Sequence, residues 1–229
     1  MKLLSLAILA ATATTASAAP TADEVVDQVQ QFYKGIDQVT AKFQETALTK
    51  AFNHSDTSQG LVSIAKPGKM RWDYYAKDNH QSKTFVSNGK MLYLVDNDNL
   101  QIVKKDISKD LMPVAVSFLM GTGDLRAQFT PALDTSKTYG TSADLVLKLT
   151  PKEPSATYKN LYLVVNPANY RVTESVIIDS SDDVTDIKFY EPDFKTPIKA
   201  GIFEFNPATK PKYQVLSAAA AAGAAPKAP

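Results

Sequence analysis

The chain has 229 residues, of which 44% are hydrophobic and 21% charged, with no cysteine and a formal net charge of +1. The lack of cysteine excludes a disulfide scaffold, a thiolate metal site and a cysteine nucleophile. The balanced charge, with no basic stripe, excludes the surface that a nucleic acid backbone needs.

In chain order, residues 1–18 read as a secretory signal. Lys2 supplies the positive start, residues 3–11 form a short apolar run, and Ala16-Ser17-Ala18 fits small-x-small cleavage. The run is too short to span a membrane, and no later stretch approaches the required length. No cysteine follows the signal to receive a lipid, so the expectation is an exported, soluble, unanchored protein in the periplasm.

Residues 21–36 predict one amphipathic helix. Thr21 and Glu24 make a T-x-x-E capping box, Val25, Val26, Val29, Phe32, Tyr33 and Ile36 recur at helical spacing, and Gly35 marks the end. From Val39 the period changes to two, with Val39, Ala41 and Phe43 alternating with Thr40, Lys42 and Gln44. Strand patterns follow at 61–66, 70–75, 83–87, 91–96 and 100–104, and then at 127–133, 145–150, 161–165, 172–179, 184–190 and 203–205. Turn residues separate them: Pro67-Gly68, Asn88-Gly89, Asp96-Asn97-Asp98-Asn99, Asn166-Pro167 and the polar stretch 180–183. Asn88-Gly89 is a two-residue hairpin signal. The pattern is mainly β with a few helices: a meandering antiparallel sheet curled into a barrel or half-barrel.

The run 111–120 interrupts the strands and is nearly all apolar before Gly121 and Gly123. It predicts a short helix with no polar face, which either plugs a core or lids an apolar cavity. Val114, Val116, Phe118 and Leu119 are its candidate lid residues. The tail 217–229 is rich in Ala, Gly and Pro and predicts a disordered extension, leaving 19–216 as one domain.

Catalytic chemistry is poorly supplied. The two histidines, His54 and His80, lie in polar, loop-like contexts, and G-x-S-x-G, P-loop and H-E-x-x-H patterns are absent. The stretch 179–183 with Asp186 lacks the glycine and glutamate of a calcium loop. No enzyme activity, cofactor or metal is expected. Alternation nominates Phe43, Met70, Trp72, Tyr74, Leu92, Leu94, Ile187 and Phe189 as the lining of an apolar cavity, or else as a filled core; both faces of 91–95 are apolar, so the parity of Leu92 and Leu94 stays open. Val62, Ile64 and Lys66 share one strand face, which puts a lysine at the rim of that cavity.

Several segments together resemble the periplasmic outer-membrane lipoprotein carrier family (LolA-type). Val39-Thr40-Ala41-Lys42-Phe43-Gln44-Glu45 is similar to its first strand, and the stretch from Gly60 to Trp72 to its second and third. Ser87-Asn88-Gly89-Lys90-Met91-Leu92-Tyr93 is similar to its "DGK-x-LW" hairpin. Leu100-Gln101-Ile102 resembles the following strand, residues 113–125 resemble its lid region, and Phe203-Glu204-Phe205-Asn206-Pro207 resembles its closing strand. Three features depart from the family pattern: Lys66-Pro67 replaces Arg-Pro, the stretch 179–183 replaces a D-x-x-GQ turn, and the Ala-rich tail is extra.

The resemblance implies an eleven-stranded half-barrel, covered by an N-terminal helix and short lid helices, whose apolar cavity takes lipoprotein acyl chains. It implies a monomeric chaperone-carrier that receives lipoproteins from an inner-membrane ABC-type transporter and passes them to an outer-membrane receptor. It also implies that Lys66, at the position of a lid-holding arginine, latches the lid through carbonyls near residues 118–121. The competing expectation is a periplasmic lipid- or lipoprotein-sensing module of the same fold.

Overall fold

The computed structural model describes residues 19–107, 124–155 and 158–217. The helix α1 spans Ala22–Lys34 and starts as its sequence dictates. The Thr21 side chain accepts from the Glu24 N–H, and the Glu24 carboxylate accepts from the Thr21 N–H at 2.7 Å. Gly35 closes it. Six strands then follow: β1 (Gln38–Thr49), β2 (His54–Ala65), β3 (Lys69–Tyr75), β4 (Gln81–Asn88), β5 (Met91–Asp96) and β6 (Gln101–Asp106). A single helical turn, α2 (Leu125–Gln128), leads into β7 (Phe129–Leu133), β8 (Leu145–Pro151), β9 (Asn160–Val165), β10 (Val172–Ile178) and β11 (Val184–Asp193), and β12 (Gln214–Ser217) comes last.

All twelve strands among the described residues form one sheet in the order β12-β6-β5-β4-β3-β2-β1-β11-β10-β9-β8-β7. Two antiparallel meanders, β1 to β6 and β7 to β11, join where β1 pairs with β11. β12 and β7 are the two ends, so the sheet is open and not a closed barrel, with one strand more than expected. The extra strand is β12, which pairs parallel to β6 through Gln214 to Ser217. Two further sequence expectations change. The Phe203-Glu204-Phe205 alternation is not a strand: Ala200–Phe203 is a 3-10 turn, with Phe203 buried and Phe205 against Tyr93. The strand expected from residue 127 begins at Phe129, because Asp124 caps α2 through the Ala127 N–H.

The turn residues act as their chemistry requires. Asn88 Oδ1 accepts from the N–H groups of Lys90 and Met91 while Gly89 takes φ +89, a conformation that disfavours a side chain. Asp179 Oδ1 accepts from Ser181 and Asp183, so the acidic stretch 179–183 is a hairpin turn.

Register divides the sheet into two faces. The inner face carries Phe43, Val62, Trp72, Phe85, Leu94 and Ile187 in the first meander and its partner β11, and Leu163, Leu147 and Leu133 beyond it. α1 lies on the second part of this face. Its Val25, Val26 and Val29 are wholly buried against Leu147, Leu149, Leu161 and Leu163. Each such valine contributes on the order of 1.5–3 kcal/mol relative to exposure. Tyr33 extends the helix's reach, its hydroxyl accepting from the Val172 N–H at 3.2 Å. Burial pushes the Tyr33 phenol up to about 12.

The outer face of β3 to β6 is covered by the segment 200–213. Arg71 donates to the Ile202 carbonyl at 3.1 Å and to Asp73 at 2.7 Å, and Tyr213 donates to Asn97 at 2.8 Å. Val86, Val95 and Ile102 are buried on this outer face. That covering explains the double-faced hydrophobicity of β5: Val95 points outward under the C-terminal segment, while Leu92 points inward.

Candidate functional site

The inner face of β1, β2, β3 and β11 holds a contiguous aromatic and aliphatic cluster. Phe43, Met70, Trp72, Tyr74 and Ile187 are buried in it together with Ala41, Val62 and Ile64, and Val39, Phe85, Leu92 and Phe189 pack around them. Of the residues nominated by alternation, seven therefore meet in one cluster. The eighth, Leu94, opposes Phe85 in the β4–β5 pair and shares the face of Leu92. Phe43 is the hub, with ring centroids 4.9 Å from both Trp72 and Tyr74 in edge-on geometry.

Gly60 makes this hub fit. It sits directly opposite Phe43 in the β1–β2 pair, and a Cβ there would lie 2.6 Å from the Phe43 ring and inside contact with the Asp73 carbonyl oxygen. A glycine in a strand interior marks such a close approach. Val62 and Ile64, which alternation with Lys66 put on the cavity face, join the cluster, whereas Ala41 and Phe85 were not nominated as lining although each has the parity of a nominated neighbour.

Between α1 and this cluster lies an apolar pocket of about 40 Å³, lined by Tyr33, Val39, Ala41, Val62, Ile64 and Phe189 among others. Ligand pockets for molecules of lipid size run to roughly 300–1,000 Å³. This pocket alone is far too small for such a guest.

Lys66 stands at the junction of cover and sheet. Its Nζ donates to the carbonyls of Tyr33 at 2.8 Å and Lys34 at 3.0 Å, the last turn of α1, while its own N–H donates to the Asp37 carbonyl. These carbonyls stand at the negative end of the helix, where a cation is favoured, and that of Tyr33 also accepts from the Ile36 N–H. The acceptors expected near 118–121 lie outside the described residues, as do Val114, Val116, Phe118 and Leu119.

Beyond Tyr74 and Phe85 the inner face turns polar. A recess of about 550 Å³ is lined by Glu45, Ser58, Tyr74, Lys77, Lys83 and Phe85 among others. Tyr74 donates to Glu45 Oε2 at 2.9 Å. Desolvation raises the Glu45 carboxyl above its ordinary range, against the lowering effects of the Tyr74 hydrogen bond and the Lys83 charge. Desolvation and the adjacent carboxylate raise the Tyr74 phenol as well. Glu45 follows the parity of Phe43, and that alternation was the one signal that could have found it.

Both histidines are exposed and engaged with carboxylates. His54 Nε2 is 3.1 Å from Asp56, and His80 bridges Asp98 and Asp78, which raise its pKa. No group of three or more metal-ligating side chains occurs among the described residues, and no helix among them is long and apolar enough to cross a membrane.

A sequence profile of the family described as "Outer membrane lipoprotein carrier protein LolA" matches residues 34–206. An outer-membrane lipoprotein carrier protein from Azotobacter vinelandii is 26% identical over 205 residues, covering 90% of this chain and 95% of that one. One from Dechloromonas aromatica is 23% identical, covering 80% and 83% respectively. Among solved structures, an uncharacterized conserved protein from Thermus thermophilus superposes with a TM-score of 0.52 at 15% identity, covering 86% of this chain and 98% of that one, and so shares the fold.

Proposed function

The chain belongs to the family of outer membrane lipoprotein carrier proteins, LolA, and from that membership we propose that it is a periplasmic chaperone-carrier that holds lipoprotein acyl chains on its inner apolar face. The observation that carries the proposal is the continuous aromatic face of an open sheet, with Phe43, Trp72 and Tyr74 at its centre and an amphipathic helix over the adjoining part. Each CH₂ exposed to water costs about 0.8 kcal/mol, so a multiply acylated protein cannot cross an aqueous gap uncovered. A sheet that never closes on itself leaves a face that a movable cover can expose and hide.

Cargo entry then requires two events. The packed pocket of about 40 Å³ widens as cover residues leave the cluster, and acyl chains replace the side chains they displace. Because one apolar contact is exchanged for another, the net gain is small, and release stays accessible. The residues expected to form a lid (Val114, Val116, Phe118 and Leu119) supply part of that cover in this reading.

Lys66 is the polar latch. Its two bonds to the end of α1 hold the helix C-terminus against the rim of the cluster. Hydrogen bonds to a charged donor at such a rim contribute about 1.5–3 kcal/mol together, enough to bias the closed state without locking it. A lysine makes this latch as a point charge, without the planar two-pronged geometry of arginine.

The partners that follow are an inner-membrane ABC-type transporter that delivers the lipoprotein and an outer-membrane receptor that accepts it. The test is mass spectrometry of the protein purified from a periplasm in which it was exported with its own signal. Co-purified triacylated protein supports the carrier reading. Free lipid without lipoprotein would replace it by a lipid-binding or sensing module.

A further inference from the structure

The polar recess at the far end of the apolar face is built for charge. Glu45 keeps one carboxylate oxygen, Oε1, with no hydrogen-bond partner among the described residues, its other oxygen being held by Tyr74. Lys83 and Lys77 line the same recess, and neither ammonium forms a hydrogen bond or ion pair among the described residues. Lys83 is half-buried and opposes Tyr74 in the β3–β4 pair, so its side chain rises from the same face as the carboxylate it influences. The fourth charged lining residue, Asp98, is already engaged by His80 at 2.8 Å. One open carboxylate oxygen and two open ammonium groups therefore face a common space.

Tyr74 and Phe85 belong both to this recess and to the aromatic cluster, their rings 5.8 Å apart. An acyl chain lying on the cluster would end at the recess. A head carrying a single negative charge satisfies the lysines and leaves Glu45 facing it. A neutral head leaves all three groups desolvated without a partner, which is unfavourable. A head with an anionic and a cationic group satisfies both sets.

We propose that this recess binds the zwitterionic phosphate–amine head of a phospholipid or lysophospholipid, with its ammonium on Glu45 Oε1 and its phosphate on Lys83 and Lys77. The assignment rests on the reading of the inner face as an acyl-binding surface and adds a second ligand class to it.

The test compares three ligands of one chain length, below their aggregation concentrations, with the full mature protein. They are a lysophosphatidylethanolamine, a lysophosphatidylglycerol that has the phosphate but no amine, and an uncharged monoacylglycerol. Charge-assisted hydrogen bonds in a half-buried site predict about a tenfold tighter Kd for the first than for the third, with the second between them. Glu45→Gln should erase the margin of the ethanolamine head over the glycerol head. Lys83→Met should shrink the margin of both over the uncharged ligand. Folding of each variant is checked by circular dichroism. Equal affinities for all three, or a preference that survives both substitutions, would overturn the head-group assignment and leave the acyl-binding reading standing. Binding of none of the three would overturn the acyl-binding reading and the assignment with it.

Discussion

Gly60→Ala places a single methyl group at the centre of the proposed acyl face. The added carbon meets the Phe43 ring at 2.6 and 2.7 Å and the backbone carbonyl of Asp73 at closer range still. The ring can shift, but the carbonyl belongs to the paired strand β3 and cannot move without disturbing the β2–β3 register. Overpacking of a filled site costs about 1–3 kcal/mol, and a backbone clash puts this one near the top of that range. Alanine's lower unfolded-state entropy returns about 0.5–1 kcal/mol. The net loss is about 2 kcal/mol, which lowers Tm by roughly 4–8 °C in a chain of this size. Thermal unfolding followed by circular dichroism measures it, with Gly201→Ala as a control because no atom lies within 4 Å of its new carbon. Phe43→Leu in the Gly60→Ala background should recover part of the loss, since it removes the ring but not the carbonyl. A Gly60→Ala protein that melts with the native one would refute the claim that the glycine exists to seat Phe43.

Three further outcomes follow. Lys66→Leu should fold normally yet impair transfer of a lipoprotein from the protein to acceptor membranes, because packing would hold the cover where a reversible polar contact held it before; unimpaired transfer by the folded variant would remove Lys66 from the mechanism. Glu174 and Asp186 form a desolvated carboxyl pair on the outer face near Lys188, and desolvation raises both pKa values, that of Glu174 further through the Asp186 charge. Their stabilising contribution is complete below the unfolded-state carboxyl range near 4 and fades as pH rises through the raised folded values, so Glu174→Gln should flatten the fall in Tm as pH rises above about 4; an unchanged pH profile would contradict this. Removing residues 218–229 should leave Tm in place, as expected of an Ala- and Pro-rich tail. Removing Gln214–Ser217 as well should lower it by stripping β12 from β6.

Much of this architecture was legible because strand parity and turn chemistry are local. Asn88-Gly89, the acidic stretch 179–183 and the T-x-x-E box each act within a few residues, and each folds as its chemistry requires. Seven of the eight residues nominated by alternation meet in one cluster for the same reason: one apolar face of a half-buried strand reads as alternation. The parts that did not read out depend on distant chain. The β5 parity was hidden because the C-terminal segment buries Val95 on the outer side while Leu92 faces the cluster. β12 escaped notice because a four-residue edge strand in parallel pairing carries no alternation to detect. Phe203-Glu204-Phe205 imitated a strand because both phenylalanines dock on the sheet, one buried and one against Tyr93. Glu45 was passed over because a lone carboxylate at the end of an apolar face differs from a solvent-facing one only through the fold.

Trp72 is the chain's only tryptophan and lies inside the aromatic cluster, so the most direct measurement is quenching of its emission by a lipoprotein whose acyl chains carry bromine. Acyl chains seated on the inner face bring bromine against the indole, and the account predicts strong, saturable quenching that unbrominated lipoprotein reverses by competition. Full binding of the brominated lipoprotein with Trp72 emission undiminished would place the cargo elsewhere and contradict the account.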